Sequence, residues 1–166
     1  MKYIIGFFFC CLASLVACDS ECFVKDSKKC QQDWLLNNPT LHYHYCKKST
    51  SMTKCLLDAA VKCKTGFELK GATAYAAQLE VCTEGTPSNK AVKGDPNCGF
   101  DNLLIARDCD WADRGGICRN LDNSKVYTCV KDLLSKCSDD TNKAFNKAYL
   151  TYIDLMREAC KLYDIV

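Results

Sequence analysis

The residues of this chain best suited to chemistry are its cysteines and two histidines. CLLDAAVKC, Cys55 to Cys63, and CVKDLLSKC, Cys129 to Cys137, each set two cysteines eight positions apart. Such pairs can ligate a metal, exchange disulfides or staple a fold. Structural zinc sites draw heavily on short Cys-x2-Cys knuckles, and none occurs after residue 18. A cysteine nucleophile needs a thiol outside any disulfide framework, so parity decides that question. Of the 15 cysteines, Cys10, Cys11 and Cys18 fall in or at the end of an N-terminal apolar run, which leaves twelve that can pair completely.

His42 and His44 stand in LHYHYC, Leu41 to Cys46. A His-x-His pair places both imidazoles on one side of an extended segment, a partial copper or zinc site. No third ligand is identifiable, and we expect no metal and no cofactor. Other catalytic patterns are missing as well. Neither histidine is followed by the aspartate that secreted phospholipases require, and Gly-x-Ser-x-Gly, His-Glu-x-x-His and glycine-rich phosphate loops are all absent. A non-enzymatic protein is expected.

The elements that would position these residues begin after a leader. Lys2 precedes the apolar run Ile4 to Ala17, which has secretory length and is too short for a bilayer span. We read residues 1–18 as a cleaved signal peptide, parity favouring Cys18 as its last residue; LVAC also has the form of a bacterial lipobox. Twelve cysteines in about 148 mature residues is the usage of an oxidising compartment. The protein is therefore expected to be secreted and extracellular, without a membrane span. Losing Lys2 leaves 21 Lys and Arg against 20 Asp and Glu. No nucleic-acid partner is expected, since that would need concentrated positive charge.

Aligning the two Cys-x7-Cys segments brings the remaining chain into register. Cys22, Cys30, Cys46, Cys55, Cys63 and Cys82 answer Cys98, Cys109, Cys118, Cys129, Cys137 and Cys160. A Trp follows the second cysteine of each set, Trp34 and Trp111, and an Ala- and Tyr-rich stretch precedes each last cysteine. Thr83 to Asn97 is rich in Gly, Pro, Ser and Asn, as a linker is. The reading is two six-cysteine units, 19–82 and 98–166, joined by a linker at 83–97.

Both units read as helical. Ala144, Phe145, Ala148, Tyr149, Tyr152, Ile153, Met156, Ala159, Cys160 and Tyr163 form one stripe of a 3.6-residue period, and SDDT, Ser138 to Thr141, supplies capping oxygens. In the first unit Ala72, Tyr75, Ala76, Leu79 and Cys82 form a shorter stripe. An eight-residue helical step rises about 12 Å, beyond disulfide reach. Each Cys-x7-Cys pair must therefore bond to other elements. The expected fold is all-α, two tandem disulfide-stapled bundles of three to four short helices, each with a central helix bridged once to the first helix and once to the last. The pairing among six cysteines stays open at fifteen possibilities.

The cysteine rhythm of Cys22 to Cys160, with CLLDAAVKC and CVKDLLSKC at its centre, resembles that of secreted cysteine-rich helical repeat proteins of invertebrates, some of them venom and body-fluid proteins. The resemblance implies a fold and a compartment, and carries no active-site motif.

A binding role is expected at the one place where the sets differ. Fifteen residues separate Cys30 from Cys46, against eight between Cys109 and Cys118. The surplus NNPTLHYHY makes Leu41, His42, Tyr43, His44 and Tyr45 the candidate contacts. The expected partner is an extracellular protein or receptor. A small apolar ligand held by Phe145, Tyr149, Tyr152 and Tyr163, or a structural matrix role, are the alternatives.

Overall fold

A computed structural model describes residues 20–30, 32–33, 44–107, 109, 118–119, 121 and 124–163. The expected leader, both tryptophans, Leu41, His42 and Tyr43 lie outside them. The described residues contain seven helices and no strand: α1 (20–30), α2 (Tyr45–Cys63), α3 (Glu68–Cys82), α4 (Pro87–Gly94), α5 (Phe100–Arg107), α6 (Ser124–Leu134) and α7 (Asp139–Tyr163).

The local signals that start and stop these helices are specific. His44 is the N-cap of α2, its Nδ1 accepting from Cys46 N–H at 3.3 Å. At the other end Lys64 takes a left-handed conformation (φ 50°), and Thr65 N–H reaches back to Ala60 carbonyl at 3.2 Å, which satisfies a carbonyl that the helix end would otherwise strand. Thr86 caps α4, with Pro87 in its first turn. Ser138 Oγ accepts from Thr141 N–H at 3.3 Å, and Asp139 and Asp140 occupy the first turn of α7, the favourable end of the helix dipole for negative charge.

α3 lies at the centre, packed against α2, α4 and α7. Its buried face is Gly71, Ala74, Ala77, Gln78 and Val81. This corrects the stripe read from sequence, since Ala72, Ala76 and Leu79 are exposed. The physical reason is spacing. A helix held between two others buries its smallest side chains so that the backbones can approach, and a Cβ on Gly71 would already stand 3.1 Å from Leu57 Cδ1. The stripe read on α7 is buried as expected from Ala144 to Cys160, with Leu155 added and Tyr163 only half-buried. Phe145 and Leu155 are fully buried, each contributing roughly 2–3 kcal/mol of hydrophobic stabilisation.

All twelve cysteines are paired: Cys22–Cys63, Cys30–Cys55, Cys46–Cys82, Cys98–Cys137, Cys109–Cys129 and Cys118–Cys160. The expected division of the central helix between first and last helices is corrected here. Both cysteines of CLLDAAVKC bond to α1, and Cys46 makes the bridge from α2 to α3. Cys22 and Cys30 are spaced by eight residues, as Cys55 and Cys63 are. Two antiparallel helices with equal spacings form two rungs of one ladder, each about 12 Å from the next. Lys62 adds an ion pair to Asp26 at 2.7 Å beside the first rung.

Residues 83–97, read as a linker, hold α4. Val92 is 1% exposed, Asn89 donates to Val81 carbonyl at 3.0 Å, and Asp95 accepts from Ser138 N–H at 2.7 Å. A single cluster of buried residues runs from Phe23 to Cys160. α3 and α7 are also laced by Lys70–Glu158 and Glu80–Lys147, both at 2.5 Å.

Candidate functional site

Every described cysteine sulfur is in a disulfide, so no described thiol is available as a nucleophile. The one metal-like grouping among the described residues is Cys22, Asp26 and Cys63. Its sulfurs bond to each other and its carboxylate pairs with Lys62, so the set is spent on structure.

Of the five candidate contacts, the described residues include two. His44 is exposed, its ring centroid 5.0 Å from that of Phe100, and its Nδ1 is occupied by the α2 cap. Tyr45 is 1% exposed. Its ring lies near Phe100 and Phe145, and its hydroxyl donates to Gln78 Oε1 at 2.9 Å. An anchor for a partner must be presented to solvent, so Tyr45 is corrected from contact residue to core residue. The physical cause is its place at the first position of α2, where its own helix turns the ring inward.

The aromatic stripe of α7 is likewise interior. Phe145 and Tyr149 stack with centroids 5.4 Å apart, and Tyr152 is buried. Tyr163 packs on Phe23 and shares a 2.6 Å hydrogen bond with Ser27, and burial raises its pKa above the ordinary 10.0. Tyr149 also lines the groove between α6 and α7.

The groove has a volume of about 490 Å³. Val130, Leu134 and Tyr149 form its apolar floor, with Tyr127 and Leu150 at the sides. The last two are 42% and 52% exposed, large apolar groups left in water on facing helices. Lys131, Ser135, Asn142 and Asn146 complete the lining among the described residues, and none of these is a carboxylate. On α6 the lining falls at positions 127, 130, 131, 134 and 135, one helical face; on α7 it falls at 142, 146, 149 and 150. The turn Ser135 to Ser138 joins the two at one end, held by Ser135 N–H to Asp132 carbonyl and Cys137 N–H to Leu134 carbonyl. Cys98–Cys137 and Cys109–Cys129 tie α6 and this turn to the preceding segment, and Cys118–Cys160 ties the end of α7. The walls of the groove are therefore covalently braced.

A second, polar cleft of about 370 Å³ lies over α3, α4 and α7. Its charged groups are already engaged: Glu80 accepts from Lys147 and Ser88, which hold its pKa below the ordinary 4.5, and Lys143 pairs with Asp140 at 3.7 Å. Its polarity is spent on joining helices.

Sequence reading missed Tyr127, Lys131 and Leu150. Leu150 follows Tyr149 directly but falls just off the buried stripe, and Tyr127 follows Val126 in the same way. Such flanking apolar positions are the available signal of a face left open. Comparisons with models of known protein families, with curated proteins and with solved structures found no match.

Proposed function

We propose that this is a secreted, non-enzymatic binding protein in which a duplicated disulfide module holds a surface open to an extracellular protein partner. The observation that carries the reading is the braced apolar groove between α6 and α7, with Tyr127 and Leu150 exposed on its sides. Large aromatic and aliphatic groups in a preformed concavity are what binding hot spots require. The duplication is supported by the disulfides: in each set of six the first cysteine pairs with the fifth, the second with the fourth and the third with the sixth. Secretion is supported by the same bridges, which belong to oxidising compartments. No described helix is long and apolar enough to cross a membrane.

The insert remains part of the proposal through Leu41, His42 and Tyr43. Tyr43→Ser is the suitable probe there, since Tyr45→Ser would open the core. A carrier of a small apolar ligand is the second reading, favoured by the volume of the groove. Native mass spectrometry of the protein, purified without denaturation from the fluid that holds it, separates the two. A bound macromolecule that Leu150→Asp releases supports the protein partner, and a bound mass of lipid size supports the carrier. A bare protein would sink both.

A further inference from the structure

Polarity is distributed unevenly along the α6–α7 groove. Ser135 and Asn142 stand beside the turn that joins the helices, while Tyr127 and Leu150 stand at the far end. Asn142 is fixed at the turn end by donating to Cys137 carbonyl at 3.2 Å. Lys131 and Asn146 lie between, and Lys131 is the only charged group among the described lining residues. It is exposed and makes no ion pair among the described residues. From Ser135 to Tyr127 the helix rises about 12 Å, so the groove is a short trough, polar beside the turn, cationic at its middle and apolar at the far end.

We infer that this trough binds an amphiphilic carboxylate, its anionic head beside Lys131 and its hydrocarbon tail along Val130, Tyr127 and Leu150. Charge complementarity selects the head. A cation that makes no ion pair among the described residues, in a lining whose described residues include no carboxylate, gains from an anion and opposes a second cation. The volume of about 490 Å³ falls within the range of small-ligand sites, roughly 300–1,000 Å³. Bracing by three disulfides keeps the walls in place before binding, which lowers the ordering cost of association. The inference rests on the carrier reading and supplies its ligand class.

The test is calorimetric titration of the intact, oxidised protein with dodecanoate and with dodecyltrimethylammonium, both below their micelle concentrations. Dodecanoate should saturate a single site and the cationic amphiphile should bind weakly. Lys131→Glu should weaken dodecanoate by about tenfold and reverse the preference between heads. Leu150→Asp should remove binding of both, with circular dichroism and the six bridges unchanged. Equal affinity for the two heads, or dodecanoate binding indifferent to Lys131→Glu, would overturn the inference. So would the absence of saturable binding; if the native protein then carries a macromolecular partner that Leu150→Asp releases, the protein-binding reading survives alone.

Discussion

Tyr45 and Gln78 are joined inside the core by a 2.9 Å hydrogen bond from the tyrosine hydroxyl to the amide oxygen, and Gln78 Nε2 donates onward to Ala148 carbonyl at 3.1 Å. Three helices, α2, α3 and α7, are thereby registered by one side chain that is 1% exposed. A buried amide is costly unless both its ends are satisfied. Tyr45→Phe removes the donor and leaves Gln78 Oε1 without it, and should lower unfolding stability by about 1–3 kcal/mol. Urea denaturation of the oxidised protein reads the change; an unmoved midpoint would mean the hydroxyl contributes nothing here.

The opposite sign is expected along α2. Ser49 and Thr53 are fully buried and their hydroxyls have no hydrogen-bond partner among the described residues. Each therefore carries a desolvation penalty with no return. Thr53→Val, which keeps the shape, and Ser49→Ala should each stabilise the fold by roughly 1 kcal/mol. A fall in melting temperature for Thr53→Val would show that its hydroxyl is satisfied in solution.

Asp95 links two parts of the chain that are far apart in sequence. Its carboxylate accepts from Ser138, Asn97 and Cys98 N–H groups, and the Ser138 bond foremost holds its pKa well below the ordinary carboxylate range. Glu80, bonded to Lys147, and Glu158, bonded to Lys161 and Lys70, are lowered as well. Folded values below unfolded ones mean that stability is present above the unfolded values and lost as pH falls through the folded ones. Thermal stability should hold near neutrality and decline as pH drops below the ordinary values of 4.5 for Glu and 3.8 for Asp. Asp95→Asn should lower stability at neutral pH and reduce the loss on acidification; an unaltered pH profile in that variant would remove Asp95 from the account.

The disulfide ladder makes a covalent prediction. Peptide mapping without reduction should recover six bridges, none linking the first six cysteines to the second six. The Cys46–Cys82 bridge spans 36 residues, so replacing both by Ala should cost about 4 kcal/mol on loop-entropy grounds. A mapped bridge between the two sets contradicts the pairing outright.

Capping at His44 is tested by side chains of different acceptor power. His44→Ala should cost about 1 kcal/mol and His44→Asn should recover most of it, read by thermal unfolding. Loss of stability in both variants alike would assign His44's contribution to its ring on Phe100 instead.

Much of the scaffold was legible along the chain because it is written in local terms. The stripe from Ala144 to Cys160 follows a 3.6-residue period that any packed helix must show, and SDDT marks where α7 starts. The cysteine rhythm is also local, and the matching eight-residue spacings of Cys22/Cys30 and Cys55/Cys63 contain the ladder. Pairing itself stayed out of reach, since it depends on which helices become neighbours. The inward face of α3 was misread for the same reason: Gly71 and Ala74 face in only because α2 and α7 press on both sides.

The proposed binding surface belongs to the tertiary structure to a greater degree. Tyr45 and Tyr127 are the same residue type, each in the first turn of its helix, yet one is 1% exposed and the other 42%. What separates them is the company each keeps, Gln78 and Phe100 around the first, an open trough around the second. Sequence by itself determined the cysteines, the helices and the caps, because those are set by spacing along one chain. Only packing decided which faces were covered, and among the described residues it leaves Tyr127 and Leu150 exposed along the groove between α6 and α7.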